Sequence, residues 1–158
     1  MIKETVESIR ETSSLLRPAI LFDLGLVPAI KSQLGKFEKQ TGIKCHFNFK
    51  PEEFKLEERL ALILYRILQE SLTNIARHSG ASETEIELYI RRNKIEMIIS
   101  DNGTGISKNK VNSLSSMGIA GMKERVRSVN GKIIIMGNTL SGTRIKVMIP
   151  FIKEKGDD

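Results

Sequence analysis

The chain has 158 residues, of which 40% are apolar, so it can bury the core of one domain. Its formal net charge is +6, but the lysines are scattered, so the charge predicts a solvated basic surface and identifies no ligand. No apolar run approaches the roughly 20 residues that span a bilayer, and the polar beginning is unlike a secretory signal. The single cysteine, Cys45, excludes an internal disulfide, and together these features favour a cytoplasmic location.

The first segment is predicted to be a short helix that packs on partner helices. Its seam alternates spacings of four and three residues, at Ile2, Val6, Ile9, Ser13, Leu16 and Ile20. Pro18 ends or bends this helix. A second helix is predicted between Gly25 and Gly42. Its apolar face comprises Leu26, Ile30, Leu34 and Phe37.

Strands and one long helix follow. Alternation from Ile43 to Phe49 predicts a strand, which Pro51 breaks. The longest helix is predicted from about Glu57 to His78, and its core stripe comprises Leu60, Leu64, Ile67, Leu68, Leu72 and Ile75. A hairpin with Asn93-Lys94 in its turn is then predicted from alternation at Ile86, Leu88, Ile90, Ile95, Met97 and Ile99.

The rest of the chain is predicted to contain one helix and one more hairpin. A polar stretch from Ser107 to Met117 precedes a short helix from about Ile119 to Asn130. The final hairpin pairs Lys132 to Met136 with Thr143 to Ile149, across a turn through Asn138 to Gly142. This element order predicts an α/β fold, a two-layer sandwich with helices on one face of a mixed, mostly antiparallel sheet.

One face of the long helix collects polar side chains at spacings of three and four, namely Arg66, Glu70, Asn74, Arg77 and His78. A solvated helix face is the simplest interpretation. However, an asparagine such as Asn74 is mildly unfavourable inside a helix. Its amide oxygen is a suitable ligand for magnesium, which usually keeps several waters and shares phosphates.

Two glycine pairs indicate backbone that approaches a ligand closely. Asp101 stands at a strand end before Gly103 and Gly105, where the alternative is an ordinary tight turn. Gly118 and Gly121 open the next helix, whose free N–H groups favour phosphate. The polar stretch between the pairs suits a mobile lid, with an ordinary exposed loop as the alternative. The sequence contains neither a dinucleotide fingerprint nor a P-loop.

Four motifs in this order resemble the nucleotide-binding fold shared by gyrase, the heat-shock chaperone ATPases, histidine kinases and the mismatch-repair ATPase. The stretch ESLTNIARH, from Glu70 to His78, is similar to the asparagine box. DNGTG from Asp101 and GIAGMKER from Gly118 are similar to the two glycine boxes. GTRIKVMIP from Gly142 is similar to the closing motif.

Two features resemble one subfamily, the nitrate-sensor-like and desaturase-regulating sensor histidine kinases. They are the stretch LRPAILFDLGLVPAI, from Leu16 to Ile30, and the sequence GMKER in the second glycine box. The resemblance implies the catalytic domain of a two-component sensor histidine kinase, with ATP and Mg²⁺ as cofactors. Its γ-phosphoryl acceptor would be a histidine on a dimerisation helix of a homodimeric parent, which serves a response regulator. Whether that parent spans a membrane stays open.

The resemblance also implies roles for individual residues. Asp101 would accept a hydrogen bond from the adenine amino group, and Thr143 would support the same edge. Asn74 would hold the magnesium that bridges the phosphates, and Glu70 would orient or polarise the attacking group. The other nucleotide-binding residues that the resemblance implies are Arg77, His78, Gly103, Gly105, Ile106, Gly118, Ile119, Gly121 and Met122.

A division of the chain follows from the same resemblance. Residues 1–17 would end the second dimerisation helix, 18–30 would be a linker, 31–152 the ATP-binding domain and 153–158 a disordered tail. Of the two histidines, His46 lies in a predicted strand and His78 in the asparagine box, so neither precedes the linker in a helix. We therefore expect a fragment that binds Mg-ATP without autophosphorylating, as a monomer or a weak dimer.

Three alternatives stay open at this point. A serine kinase of the same fold, of the anti-sigma-factor type, should lack the Leu-Arg-Pro linker. A non-catalytic interaction module with a degenerate pocket would have no affinity for ATP, although the motif residues are intact. Nucleic-acid binding requires a clustered basic stripe with stacking aromatics, whereas aromatic residues make up 5% of the chain and lie mostly at predicted core positions.

Overall fold

The computed structural model describes residues 18–51, 54–107, 117–138 and 140–151. The elements in chain order are α1 (Ala19–Leu24), α2 (Leu26–Thr41), β1 (Lys44–Lys50), α3 (Glu58–Asn74), a π-helical turn (Ile75–Ser79), β2 (Glu83–Arg91), β3 (Lys94–Asp101), α4 (Met117–Arg127), β4 (Lys132–Asn138) and β5 (Gly142–Pro150). The predicted seam up to Leu16, most of the predicted lid and the predicted tail lie outside the described residues. The division into linker and domain stays a prediction.

Glycines separate and end the first two helices. Pro18 precedes α1 in an extended conformation, at a helix start where the missing N–H group of proline costs no hydrogen bond. The helix predicted to end at Pro18 lies outside the described residues. Gly25 has a φ of 93°, and Gly42 ends α2 with a φ of 74°, both in the region that glycine adopts without strain. The predicted helix between these two glycines is confirmed.

Five strands form one sheet in the order β1-β2-β3-β5-β4. β1 and β2 are parallel, and the other neighbouring pairs are antiparallel. The predicted α/β class with a mixed, mostly antiparallel sheet is therefore confirmed. The turn between β2 and β3 was placed one residue too late, because Arg91 pairs with Lys94 and the turn lies at Arg92-Asn93.

The two faces of the sheet differ in burial. One face packs against the helices, and its buried side chains are Ile86, Leu88, Ile95, Met97, Ile99, Ile145, Val147 and Ile149. The other face carries ion pairs, with Lys146 Nζ at 3.0 Å from Glu96 Oε1 and Arg144 Nη2 at 3.8 Å from Glu87 Oε1. The helices therefore cover a single face of the sheet.

α3 is the central helix of the core, and its end positions the functional side chains. The predicted helix from Glu57 to His78 is close to the structure, but the α-helical pattern stops at Asn74 and continues as the π-helical turn. Such a turn often occurs at functional sites, because it re-aims the side chains that follow. α4 spans Met117–Arg127, earlier than predicted, because residues 128–130 form a turn in which Asn130 has a φ of 56°.

Within the described part of the chain, no helix is both long enough and apolar enough to cross a membrane.

The packing of α3 predicts a large stability difference between two leucines. Leu68 has 0% of its surface exposed, whereas Leu140 is 93% exposed. Leu68→Ala leaves a cavity and should lower the free energy of unfolding by about 2–5 kcal/mol. Leu140→Ala should change it by less than about 0.5 kcal/mol. Urea unfolding of the two variants checks this, and equal effects would contradict the description of the core.

Candidate functional site

A cavity of about 350 Å³ opens between the end of α3, the loop after β3 and strands β4 and β5. Asn74, Asp101 and Thr143 all line it, although they lie far apart in the sequence. A cavity of this size suits one small ligand. The arrangement therefore brings together the carboxylate, the amide and the hydroxyl that the sequence motifs single out.

Asp101 ends β3 and is the buried carboxylate of the cavity, with 7% of its surface exposed. Its Oδ1 accepts the N–H of Gly103 at 2.8 Å, which fixes the orientation of the carboxylate. No hydrogen bond among the described residues uses its second oxygen, Oδ2, which leaves an acceptor for a ligand on a residue that lines the cavity. A side chain at Gly142 would press on the carbonyl oxygen and Oδ1 of Asp101, so glycine at this position protects that orientation.

Asn102 does not line the cavity and instead fastens the following loop to β2. Its Oδ1 accepts the backbone N–H of Ser82 at 2.9 Å and that of Glu83 at 3.1 Å. Its Nδ2 donates to Ser82 Oγ at 2.9 Å. The Asn102 side chain therefore has a structural role, although it lies between Asp101, which lines the cavity, and Gly103, which packs against another backbone segment.

Ser79 joins the end of the π-helical turn to the loop after β3. Its carbonyl oxygen accepts the N–H of Thr104 at 2.8 Å, and its Oγ donates to the Ile75 carbonyl at 2.7 Å. The backbone of Ser79 also fills the space where a side chain at Gly103 would lie. Gly103 is therefore required for close backbone packing, and it does not itself line the cavity.

The other end of the loop packs on β4. A side chain at Gly105 would strike the backbone of Asn138, and one at Gly137 would strike the backbone of Ile106. The loop is thus fixed from two sides, by the end of the long helix and by an edge strand. Gly137 was not predicted as a site residue, because nothing in the local sequence indicates which segment packs on it.

The polar face of α3 contributes unequally to the cavity. Asn74 is half-buried and lines the cavity, and the exposed His78 lines it from the π-helical turn. Arg77 is exposed and lies outside the lining. Glu70 also lies outside the lining, one turn before Asn74, with its carboxylate against Gly118 at the start of α4. A side chain at Gly118 would collide with that carboxylate, so Gly118 leaves room for Glu70.

α3 and α4 are antiparallel neighbours, and their contacts form a continuous seam. The contacts run from Glu70 with Gly118, through Ser71 Oγ with Met122 Sδ at 3.8 Å, to Arg59 Nη2 with the Ser128 carbonyl at 3.1 Å. Arg66 lies near Arg125 on this seam. Partial burial and, second, the positive charge of Arg125 lower the pKa of the Arg66 guanidinium. Gly121 accommodates the Arg125 side chain, whose Nη1 would lie 2.9 Å from a Cβ at that position.

The predicted site residues divide into two groups. Those that line the cavity are Asn74, His78, Asp101, Gly105, Ile106, Ile119, Met122 and Thr143. Those outside the lining are Glu70, Arg77, Gly103, Gly118 and Gly121. Lining residues that the sequence interpretation missed are Ser71, Ile75, Ser79, Ile99, Thr104, Ile135 and Ile145. Most of these are apolar residues at core spacing, and periodicity alone cannot separate a cavity wall from a filled core.

The chemistry of the cavity is that of an apolar slot with polar groups at its margins. Ile99, Ile135 and Ile145 contribute apolar wall, and Asp101 contributes a deep acceptor. A flat heterocycle with an exocyclic amine satisfies both features. The amide of Asn74 offers a metal one oxygen ligand, which suits magnesium that keeps waters and shares the ligand's phosphates. Among the described residues, no group of three or more His, Cys, Asp or Glu side chains could hold a metal by itself.

Comparison with known proteins points to one family. The family model described as histidine kinase-, DNA gyrase B- and HSP90-like ATPase matches residues 60–153. The signal transduction histidine-protein kinase/phosphatase DegS of Brevibacillus brevis is 32% identical over 155 residues, which are 98% of this chain and 40% of that protein. The oxygen sensor histidine kinase NreB of Staphylococcus carnosus is 31% identical over 95% of this chain and 43% of its own length. The chain thus spans less than half of these curated relatives.

Solved structures show the same fold. The blue-light activated histidine kinase of Erythrobacter litoralis EL346 gives a TM-score of 0.65 at 15% identity, covering 80% of this chain and 42% of that one. The mycobacterial sensor histidine kinase MprB gives a TM-score of 0.61 at 21% identity, covering 77% of this chain and 91% of that one. At these identities, the likeness concerns the fold alone.

The contact between Gly103 and Ser79 predicts that two glycine substitutions have opposite effects. Gly103→Ala places a methyl group against the Ser79 backbone and should lower the free energy of unfolding by about 1–3 kcal/mol. Gly35→Ala, in the exposed interior of α2 with open space around it, should raise it by about 0.5–1 kcal/mol. Urea unfolding measures both. A Gly103→Ala protein as stable as the wild type would contradict the close packing of the loop.

Proposed function

Since the chain belongs to the family of histidine kinase-, DNA gyrase B- and HSP90-like ATPases, we propose that it is the ATP-binding catalytic domain of a two-component sensor histidine kinase. The observation that carries the proposal is the shared cavity, which Asp101, Asn74 and Thr143 line together with isoleucine side chains. The names of the similar proteins favour histidine kinase activity over the serine kinase and the non-catalytic module. The histidine kinase activity of the whole protein is part of what we propose.

Adenine recognition would depend on Asp101. Its Oδ2 accepts the exocyclic amine of adenine, an acceptor-to-donor match that guanine, with a carbonyl at that position, cannot make. Thr143 supports the same edge from the start of β5, and Ile99 and Ile145 cover the ring. Because Oδ1 is already occupied by the Gly103 N–H, the carboxylate enters the complex with its orientation fixed.

The triphosphate would extend from the adenine end toward Asn74 and the start of α4. A bound magnesium ion would neutralise charge on the transferred phosphoryl group, and the Asn74 amide oxygen would hold it together with waters and phosphates. His78 lines the same part of the cavity and donates to a phosphate. Arg77 precedes His78 in the π-helical turn but lies outside the cavity lining. Its side chain therefore reaches the phosphates only if it changes direction.

The transfer step would join the γ-phosphorus to an imidazole nitrogen of the acceptor histidine. The bond between the γ-phosphorus and the β–γ bridging oxygen breaks, and ADP leaves with that oxygen. Glu70, one helical turn before Asn74, accepts the N–H of the attacking imidazole's second nitrogen and so orients the ring. The imidazole proton that is released on N–P bond formation passes to Glu70 or to solvent.

The acceptor and the partners would lie outside the described residues. We place the accepting histidine on a dimerisation helix of a homodimeric parent, and a response regulator receives the phosphoryl group. His46 is exposed on the edge strand β1, and His78 lines the nucleotide cavity. Neither histidine of this chain is therefore the phosphoryl acceptor. We therefore expect this chain to bind Mg-ATP in a cytoplasmic setting without labelling itself.

Substitution of Asp101 tests adenine recognition. Asp101→Asn replaces an acceptor with an amide whose NH₂ group faces the adenine amine, and a mismatched buried pair costs about 1–3 kcal/mol. We expect the Kd for a non-hydrolysable ATP analogue with magnesium to rise by about 5- to 150-fold, measured by calorimetric titration. The control Asp23→Asn, on the exposed surface of α1, should bind like the wild type. Unchanged binding by Asp101→Asn would contradict the proposal.

Glu70 is tested by separating nucleotide binding from transfer. The acceptor protein is the full-length Brevibacillus brevis relative, with the residue that aligns with Asn74 replaced by alanine to suppress its own labelling. Glu70→Gln, and Gly118→Ala because it displaces the Glu70 carboxylate, should each slow label transfer from ATP to the acceptor protein by about 100-fold or more. Nucleotide affinity should change by less than about threefold. Full transfer activity in both variants would exclude Glu70 from the reaction.

A further inference from the structure

A pair of arginines lies on the seam between α3 and α4, beyond the cavity. Arg66 is on α3, one helical turn before Glu70 and two turns before Asn74. At a rise of 1.5 Å per residue, these positions lie about 6 Å and about 12 Å away along the helix axis. Both arginines lie between the two outer contacts of the seam, Glu70 with Gly118 and Arg59 with Ser128. The side chain of Arg125 folds back over Gly121, toward the level of Arg66. The arginine pair therefore continues the row of polar side chains that runs along α3 from Asn74 to Glu70.

The two guanidinium groups have no acidic partner among the described residues. Arg66 Nη1 donates to the neutral amide oxygen of Gln69 at 2.9 Å. The nearest acid on α4, Glu124, is 3.5 Å from Arg127 in an ion pair along the same helix. The Glu70 carboxylate lies against Gly118, one turn away. The half-buried Arg66 is thus held beside a second positive charge that nothing described here neutralises.

Like charges in this arrangement repel, and the lowered pKa of Arg66 has Arg125 as its second cause after burial. Arg66 is half-buried and Arg125 is exposed, so Arg125 has rotamers available that would move its charge away from Arg66. An anion bound between them would remove the repulsion. Two guanidinium forks match the planar oxygens of a carboxylate in a bidentate geometry.

The position of the pair indicates what this anion belongs to. The nucleotide occupies the cavity from Asp101 to Asn74, and its γ-phosphoryl faces Glu70 in the proposed function. Arg66 lies one turn from Glu70, on the side of Glu70 away from Asn74. Because Glu70 orients the acceptor in the proposed function, the arginines lie on the acceptor's side of the site. An anion at this point therefore arrives with the protein substrate and not with the nucleotide.

We propose that Arg66 and Arg125 form a binding site for a carboxylate side chain of the protein that presents the accepting histidine. The site holds this carboxylate one turn from Glu70 and so aligns the histidine with the γ-phosphoryl. This inference rests on the proposed function, since it requires transfer to a protein acceptor. Both residues are positioning residues, because they contact the substrate protein away from the reacting atoms.

The test compares the KM for the acceptor protein with the Kd for the nucleotide. Arg66→Gln and Arg125→Gln are examined with the same acceptor protein, by label transfer and by direct binding. Each variant should raise the KM for the acceptor protein about tenfold or more, with kcat changed less than about threefold. The Kd for the ATP analogue with magnesium should stay within about twofold of the wild-type value. The dependence of acceptor affinity on salt should also weaken, because a charge pair is lost.

Arg127→Gln provides the matched control, because it removes an exposed arginine from the same helix. It should leave the KM for the acceptor protein unchanged. Urea unfolding of all three variants excludes a loss of fold as the cause. Arg66→Lys keeps the charge but loses the fork, so it should recover only part of the acceptor affinity.

Two outcomes would overturn the inference. A rise in nucleotide Kd equal to the rise in acceptor KM would assign the arginines to the triphosphate. Unchanged acceptor KM in both variants would make them a solvated surface pair. Failure of the proposed function is distinguished from both, because it would appear in the wild-type chain, which would not bind the ATP analogue or would bind it without labelling the acceptor protein.

Discussion

The hydrogen bond from the Thr104 N–H to the Ser79 carbonyl, 2.8 Å long, joins the end of the long helix to the loop after β3. Asn74 lies five residues before Ser79, and Asp101 lies three residues before Thr104. This hydrogen bond, together with the backbone contact between Gly103 and Ser79, fixes the distance between the Asn74 amide and the Asp101 carboxylate. A single bond of this kind contributes only about 0.5–1.5 kcal/mol, so the closely packed glycine is the more demanding constraint.

The glycines of the site act mainly by leaving space, each for a different neighbour. Gly103 leaves room for the backbone of Ser79, Gly118 for the carboxylate of Glu70, and Gly142 for Asp101. The sequence interpretation assigned the glycine pairs to a lid and to phosphate binding. The structure adds that Gly118, from one of these pairs, and Gly142, from the closing motif, directly protect the position of an acidic side chain. Substitution at a glycine would therefore be felt first at the neighbouring carboxylate.

Much of the fold could be predicted from the sequence, because alternation marks strands and the spacing of Leu64, Ile67 and Leu68 marks the central helix. The candidate site could be predicted only where a motif carries its own signal, as at Asp101 and Asn74. Ser79 and Gly137 were missed because their importance comes from segments that fold against them from a distance. The approach of Arg66 to Arg125 depends on the antiparallel packing of two helices, which local periodicity does not specify.

The central claim is that one bound nucleotide spans the cavity, with its base at Asp101 and its metal at Asn74. Nuclear magnetic resonance of the ¹⁵N-labelled chain with Mn²⁺ and a non-hydrolysable ATP analogue tests this most directly, because Mn²⁺ broadens nearby signals. We predict strong broadening of the Asn74 side-chain amide only when ion and nucleotide are both present. The Gly103 and Gly142 amides, beside Asp101, should shift on nucleotide binding with much weaker broadening. Broadening centred on Asp101, or none at Asn74, would contradict the account.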